Sequence, residues 1–582
     1  MRKIRRRITF IAVVIVIANG LFIARLAQVQ LIQTESFTKS KVNLIENSIA
    51  QRTQQVLIDD GRGKFLDRHG QPIGEKYVPT IVLFPFLKNY QWPIEKFQQI
   101  IPLSEWKIQK LLTEAKDPVL LTEDDGILIH NKTIEKVNDL NIPGVFGVYM
   151  ERKISDDVAA HFIGLTSVDK RLVEEKYVVK ENIPYLAKFG VTGLQKAFDE
   201  FLLAEEETKL LYHVDGLGRP LFGVNVKYIA DSNPFYPISV NTTIDLTYQQ
   251  MAEDIFNKYE VQKGGLILLD IETNEVLALV SKPDLNRNDQ STQYNYMYET
   301  MVPGSVFKTV IAAAALEENI VSENDMYNCD LNLYSEREKN PKKRLGTLTF
   351  EESFAQSCNY TFATLGKQLM EKDQNILEEY AKKLGLLHLV GWSGPVYHYD
   401  EFKQIPEEKA GSVWGKEKDK KVSKAIQQTS IGQLNVQVSP LAIVNMMATI
   451  ARGGEKKAVK VASDLSYKNG TTMYHFDDQT LQSSAVSSYT AQQLQHLLRE
   501  VVKSEKGTGR RFQTLPVDVA GKSGTAEIKN EGKIVHKWFA GYFPFQQPKY
   551  ALVVVEMDTT SEKAQTNAIF YDMVQSMYVN TR

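Results

Sequence analysis

The stretch Pro303-Gly304-Ser305-Val306-Phe307-Lys308-Thr309-Val310, running on into Ile311-Ala312-Ala313-Ala314-Ala315-Leu316, decides how this chain is read. Its alanine-rich tail is a strong helix former and apolar on every side, so this helix belongs in a core. A buried helix whose first turn carries Ser305 and Lys308 needs a reason, because an unpaired buried ammonium is costly. At a spacing of three the two side chains share one face, and a neutral Lys308 can take the Ser305 proton. The helix amino terminus also offers unpaired backbone N–H groups to a developing oxyanion.

S-x-x-K alone is weak evidence. The pattern recurs at Ser36/Lys39, Ser104/Lys107 and Ser167/Lys170, which read as accidents, since only Ser305 has a Pro-Gly turn before it and an apolar helix after it. Two further motifs follow at suitable distances. Ser357-Cys358-Asn359 offers a hydroxyl and an amide two residues apart, enough to relay a proton and hold a substrate amide. Ser322-Glu323-Asn324 has the same form but lies too close in sequence to reach back over Ser305. Gly521-Lys522-Ser523-Gly524-Thr525-Ala526 combines small residues, which let backbone approach a ligand, with a fixed cation at Lys522.

Around these motifs the chain reads as a sheet assembled from distant segments. Val240-Asn241-Thr242-Thr243-Ile244-Asp245 precedes a helical stretch from about Leu246 to Tyr259, with Met251, Ile255 and Phe256 on one face. Gly264–Asp270 and Val276–Val280, joined through Thr273-Asn274, read as a buried hairpin. Trp538–Tyr542 and Tyr550–Val555 supply later strands, and Ile569, Met573 and Met577 recur at spacing four in a closing helix. Between the strand sets the chain is largely helical. Ser439 caps one helix with Pro440 at its first position, and Gly453-Gly454 stops it. From about Leu26 to Pro237 the sequence mixes strand-like runs such as Thr80–Phe84 with helical ones such as Ile94–Ile101. Gly61–Gly70, Gly190–Gln195 and Asp215-Gly216-Leu217-Gly218-Arg219 read there as turns.

A length of 582 residues requires two or three domains, and 43% apolar with 24% charged residues is an ordinary globular composition. A net charge of -2, with no basic stripe beyond the first residues, argues against nucleic acid as a partner. No HExxH, CxxC pair or calcium-loop spacing supports a metal. Cys329 and Cys358 are too few for a disulfide framework; spacing does not decide whether they pair, and two free, partly buried thiols are expected.

Arg2, Lys3, Arg5, Arg6 and Arg7 precede an apolar run from Ile8 to Ala24, closed by Arg25. Seventeen residues is the lower limit for spanning the hydrocarbon core. The cationic cluster predicts an amino terminus in the cytoplasm and the rest of the chain outside. Ala18-Asn19-Gly20 could pass as a signal cleavage site, but the run continues through Leu21, Phe22, Ile23 and Ala24, so a retained single-pass anchor is expected.

Ordered S-x-x-K, S-x-N and K-[ST]-G resemble the penicillin-binding protein and serine β-lactamase superfamily. Arg62-Gly63, Asp67-Arg68 and Gly70 look like an early motif of class B penicillin-binding proteins. Gly193-Leu194-Gln195 is similar to their Gly-Leu-Glu patch, with Gln for Glu. Thr243-Ile244-Asp245, Gly432-Gln433, Ser439-Pro440-Leu441 and Trp538-Phe539-Ala540-Gly541 also match, while His69 stands where Asn is usual and Leu434 where Gly is. No glutamate motif of a glycosyltransferase domain occurs between residues 27 and 235, which favours class B.

The resemblance implies a peptidoglycan D,D-transpeptidase of α/β (α+β) fold, a mainly antiparallel sheet covered by helices. It implies a cytoplasmic tail over 1–7, an anchor over 8–26, a non-catalytic pedestal over 27–237 and a transpeptidase domain over 238–582. It makes Ser305 the nucleophile and Lys308 its base, with Ser357 passing the proton to the leaving amine with help from Lys522. Asn359 orients Lys308 and the substrate amide. Lys522, Ser523, Gly524 and Thr525 hold the terminal carboxylate, and the N–H groups of Ser305 and Thr525 form the oxyanion hole. It implies no metal or organic cofactor. Implied partners are stem peptides, β-lactams, the cytoplasmic membrane and a membrane glycan polymerase. A carboxypeptidase or β-lactamase-like hydrolase of the superfamily shares the acylation step, but needs neither an anchor nor a roughly 200-residue non-catalytic region. A catalytically silent cell-wall scaffold would not need Ser305, Lys308, Asn359 and Lys522 intact.

Overall fold

A computed structural model describes residues 2–34, 37, 44–45, 53–153, 158–168, 187–204, 206–215, 226–230, 233–322, 325–341, 344–481, 484–529 and 534–579. The 216–219 turn, Lys170, and the Ser36/Lys39 and Glu323-Asn324 positions lie outside the described residues. Contacts divide the chain into two compact units. One comprises 1–60, 76–152 and 206–232; the other comprises 61–75, 153–205 and 233–582.

The first unit begins with helix α1 (Arg2–Ala27). The helical segment Arg2–Ile32 has a mean hydropathy of 2.4 over its most apolar window and no buried residue there, which is compatible with a single membrane span. Thr53–Asp59, Thr208–His213 and Lys227–Ile229 form one antiparallel sheet. Glu75–Leu83 is the middle strand of another, and its successive residues Ile81, Val82 and Leu83 are all buried in one core with Phe84, Phe86 and Tyr212. Ile94–Gln98 is helical, and the helix stops short of the Ile101 expected as its end.

In the second unit, two early segments join the later chain. Phe65–Leu66 pairs in parallel with Ser239–Thr242. The buried Arg62 guanidinium donates to Gln195 Oε1 at 2.8 Å and to Asp199 Oδ1 at 2.9 Å. Gln195 thus takes a neutral hydrogen bond and Asp199 provides the charge, which a buried arginine requires. The two turn patches noted in the sequence are therefore parts of one structural network.

The main sheet has five strands: β1 (Gly264–Asp270), β2 (Val276–Lys282), β3 (Ala520–Lys529), β4 (Ile534–Phe543) and β5 (Tyr550–Thr559). Its order is β2-β1-β5-β4-β3, antiparallel throughout, as the hairpin and the late strands lead one to expect. Both faces are buried, so β1 and β5 read as continuous apolar runs. On one face Val553 and Val555 share a core with α2 (Lys308–Glu317) and α3 (Pro440–Ala451). On the other, Leu552 and Val554 meet Ile569, Phe570 and Met573 of α4 (Thr566–Val579). The expected cap on α3 is present, with Ser439 Oγ accepting from the Ala442 N–H at 3.1 Å.

One expectation fails. Cys329 and Cys358 form a disulfide, with Cα atoms 6.0 Å apart. Met326–Asn328 pairs with Thr347–Thr349, which folds the intervening chain back on itself and brings the two thiols together. A separation of 29 residues carries no trace of that hairpin.

Candidate active site

Ser305 lies in a tight 3-10 turn, Gly304–Phe307, and the α-helix proper starts at Lys308 rather than at the serine. Gly304 makes this turn with φ +57°, and a Cβ there would stand 2.3 Å from the carbonyl oxygen of Thr525. Gly432, φ +73°, sits as close on the other side: its carbonyl oxygen accepts from the Gly304 N–H at 2.9 Å, and a Cβ would meet the Gly304 oxygen at 1.9 Å. Gly524 of β3 packs on Pro303 and Val306. Glycines at these contacts let the nucleophile turn, the Gly432-Gln433 turn and the edge strand β3 meet backbone to backbone. Gln433 ties the last two, donating to the Thr525 oxygen and accepting from the Glu527 N–H, each at 3.2 Å. Trp538 Nε1 anchors the near side by donating to the Val302 carbonyl at 3.1 Å. Ser305 is half-buried, and its hydroxyl makes no hydrogen bond within the described residues.

Lys308 is completely buried. Its Nζ donates to the Ser357 carbonyl at 2.8 Å and to Asn359 Oδ1 at 2.7 Å, and Ser357 Oγ lies 3.1 Å away. Burial, and then the nearby Lys522 cation, hold its amine well below the ordinary lysine range. A neutral amine has two N–H donors and one lone pair. Two carbonyl oxygens engage the donors, which leaves the lone pair for a hydroxyl proton.

Ser357 is held at φ +60°, unusual for a residue with a side chain. The Ser357 N–H donates to the Phe354 carbonyl at 3.2 Å, and Cys358 next to it is fixed by the disulfide to Cys329. The disulfide therefore passes through the middle residue of the Ser-x-Asn motif.

Lys522 is also completely buried. Among the described residues its Nζ donates only to the Ser523 carbonyl, at 3.4 Å, and it lies 5.5 Å from the centre of the Phe354 ring. Burial pushes it down to about 7. No hydrogen bond joins it to Ser357 among the described residues. Ser523 Oγ donates to Thr508 Oγ1 at 2.8 Å, and Thr525 Oγ1 accepts from Lys537 Nζ at 2.9 Å. The structure thus brings Lys308, Ser357 and Asn359 into direct contact, sets Lys522 against Lys308 electrostatically, and lays Gly524 and Thr525 on the Ser305 turn.

Thr508 and Lys537 were not legible as site residues. Lys537 shows only in the register, as the cross-strand partner of Thr525 one residue before the Trp538-Phe539 landmark. Leu434, where the family resemblance leads one to expect Gly, adopts φ +62°, the conformation glycine would favour. A cavity of about 670 Å³ adjoins these groups, lined by Ser357, Asn359, Gln433, Leu434, Tyr334 and Glu527 among others.

Around Ser305 the groups are amines, hydroxyls and an amide, a set suited to proton transfer rather than to holding a divalent ion. In the first unit, Asp59, Asp60 and Glu151 place ligand atoms within 4.8 Å of one another, with no histidine or cysteine joining them among the described residues.

The chain is similar to several known proteins. Residues 264–575 match the penicillin binding protein transpeptidase domain. Stage V sporulation protein D of Bacillus subtilis is 23% identical over 95% of this chain and 81% of its own length. The peptidoglycan D,D-transpeptidase PbpA of Mycobacterium tuberculosis is 28% identical over 64% of the chain and 75% of its own. Peptidoglycan D,D-transpeptidase FtsI of Escherichia coli is 22% identical over 95% and 88%. In fold, the chain is similar to one from a solved peptidoglycan synthase complex that couples polymerization and crosslinking, with a TM-score of 0.64, 21% identity and 99% of each chain covered. With the matched domain covering more than half its length, the chain belongs to the penicillin-binding protein family as a class B member, residues 264–575 forming its transpeptidase domain.

Proposed function

We propose that this chain cross-links peptidoglycan stem peptides through an acyl-enzyme on Ser305. The observation that carries this reading is the Lys308 amine: fully buried, its donors engaged by two carbonyl oxygens, one turn from a serine whose hydroxyl is unpartnered among the described residues. Ser305 Oγ attacks the penultimate D-Ala carbonyl while its proton passes to Lys308 Nζ. The N–H groups of Ser305 and Thr525 receive the oxyanion. As the tetrahedral intermediate collapses, the C–N bond breaks and Ser357 Oγ, 3.1 Å from Lys308 Nζ, delivers a proton to the departing D-Ala amine. An amine of a second stem peptide then attacks the ester, reforming the Ser305 hydroxyl and closing the amide cross-link. Lys522, Ser523 and Thr525 hold the donor's terminal carboxylate. β-Lactams acylate the same serine because their ring amide occupies the same place.

Around this reaction we place a cytoplasmic tail over 1–7, an anchor over 8–26, a pedestal over 27–237 and the transpeptidase domain over 238–582. The arginine cluster before the apolar helix supports an extracytoplasmic catalytic domain. The likeness in fold to a chain of a synthase complex supports a glycan polymerase as partner. Fluorescent penicillin should form one covalent adduct with the protein, and Ser305→Ala should abolish it. A label that survives this change removes Ser305 from the chemistry.

A further inference from the structure

Lys537 is a second cation at the carboxylate end of the site. Thr525, Lys537, Glu556 and Gly264 lie in one row across β3, β4, β5 and β1, so the first three side chains share a face of the sheet. This is the face that carries α4, opposite the one where Lys522 and Gly524 meet the nucleophile turn. Lys537 is half-buried, and its one hydrogen bond among the described residues goes to Thr525 Oγ1, at 2.9 Å. Glu556 in the same row is not an ion-pair partner at contact distance. Its carboxylate instead accepts from the Gln565 N–H and Thr566 Oγ1, both at 2.6 Å, at the start of α4. Lys537 is thus aimed at a threonine hydroxyl and not at a counter-ion.

The chemistry of that contact is directional. An ammonium donates and cannot accept, so Thr525 Oγ1 is the acceptor and its own proton is released outward. Ser523 is in the opposite state: it donates to Thr508 Oγ1, and Thr508 in turn donates to the Ala355 carbonyl at 3.4 Å. Of the two hydroxyls expected to meet a carboxylate, Thr525 presents its proton as it stands, whereas Ser523 must turn away from Thr508 to donate.

We infer that Lys537 is a positioning residue for substrate recognition: it fixes the Thr525 hydroxyl as a donor to the terminal carboxylate of the donor peptide and adds a positive charge behind it. Burial lowers the Lys537 amine and the Glu556 carboxylate opposes that, so an arriving substrate carboxylate favours the charged form further.

The inference rests on the transpeptidase reading, and the test separates the two. Acylation rates would be measured on the full chain with a penicillin and with its methyl ester, which lacks the anionic carboxylate. Lys537→Met should slow acylation by the acid about tenfold to a hundredfold, the worth of a charge-assisted hydrogen bond, and by the ester several-fold less. Lys537→Arg, which keeps a donating cation, should recover most of the loss. In a Thr525→Val background, Lys537→Met should add little on the acid, because the lysine acts through that hydroxyl. Equal slowing of acid and ester, or full additivity with Thr525→Val, overturns the inference. Failure of the unmodified chain to react with any penicillin would instead count against the proposed function.

Discussion

Replacing Lys522 by methionine should make the protein more stable while disabling it. The lysine has no exposure, no counter-ion among the described residues, and only a 3.4 Å carbonyl contact and an aromatic face for company. Burial brings its pKa from 10.5 to about 7. At about 1.4 kcal/mol per pH unit this is a penalty of roughly 5 kcal/mol on the protonated form. The sign follows from proton counting. Between about pH 7 and 10.4 the unfolded chain holds the proton and the folded chain has lost it, so stability rises with pH in that window. Below it the whole penalty opposes folding. Methionine fills the same space without a charge. At about pH 6, Lys522→Met should therefore be more stable by about 2–4 kcal/mol, less than the full figure because its surroundings relax. At about pH 9 the advantage should shrink by half or more. Thermal unfolding of both proteins at the two pH values reads this directly, and penicillin labelling of the variant should fall sharply. A variant less stable at pH 6, or an advantage independent of pH, would refute the reasoning.

Three further outcomes follow from the geometry. Lys308→Arg should remove nearly all acylation in a folded protein, since a guanidinium keeps its proton; in the unmodified chain, acylation should rise with pH along a limb below the ordinary lysine range. Normal acylation by the arginine variant would make Lys308 a structural cation. Gly432→Ala places a Cβ 1.9 Å from the Gly304 oxygen at φ +73°, so it should cost about 2–4 kcal/mol of stability and slow acylation at least about tenfold. An acylation rate within about twofold of normal would show that the two turns can separate without displacing Ser305. Changing both Cys329 and Cys358 to Ser frees a loop of 29 residues and should lower stability by about 3–4 kcal/mol in denaturant titration; equal midpoints with and without reductant for the unmodified protein would contradict this.

What the sequence revealed is what local order encodes. The apolar tail after Ser305 reads as a buried helix because periodicity and propensity are local. The 264–280 hairpin and the Ser439-Pro440 cap are likewise spelled out within a few residues. The chemical motifs were legible because each is short and keeps its order. What stayed hidden depends on chain segments meeting far apart. Lys537 gains its place only from the Thr525 pairing across β3 and β4, and Thr508 from a loop that returns to Ser523 and Ala355. The disulfide needed the 326–349 pairing, which no spacing rule supplies. Ser305 was expected inside an α-helix. The left-handed Gly304, held between Thr525 and Gly432, shapes a tighter turn instead and starts the helix at Lys308.

The central claim is that the acyl group on Ser305 passes to an amine and not to water. Purified full-length protein, supplied with uncross-linked glycan strands bearing pentapeptide stems, should release D-Ala and yield cross-linked muropeptide dimers in comparable amounts. Both should disappear with Ser305→Ala. Release of D-Ala with only tetrapeptide monomers would make the chain a carboxypeptidase and contradict the account.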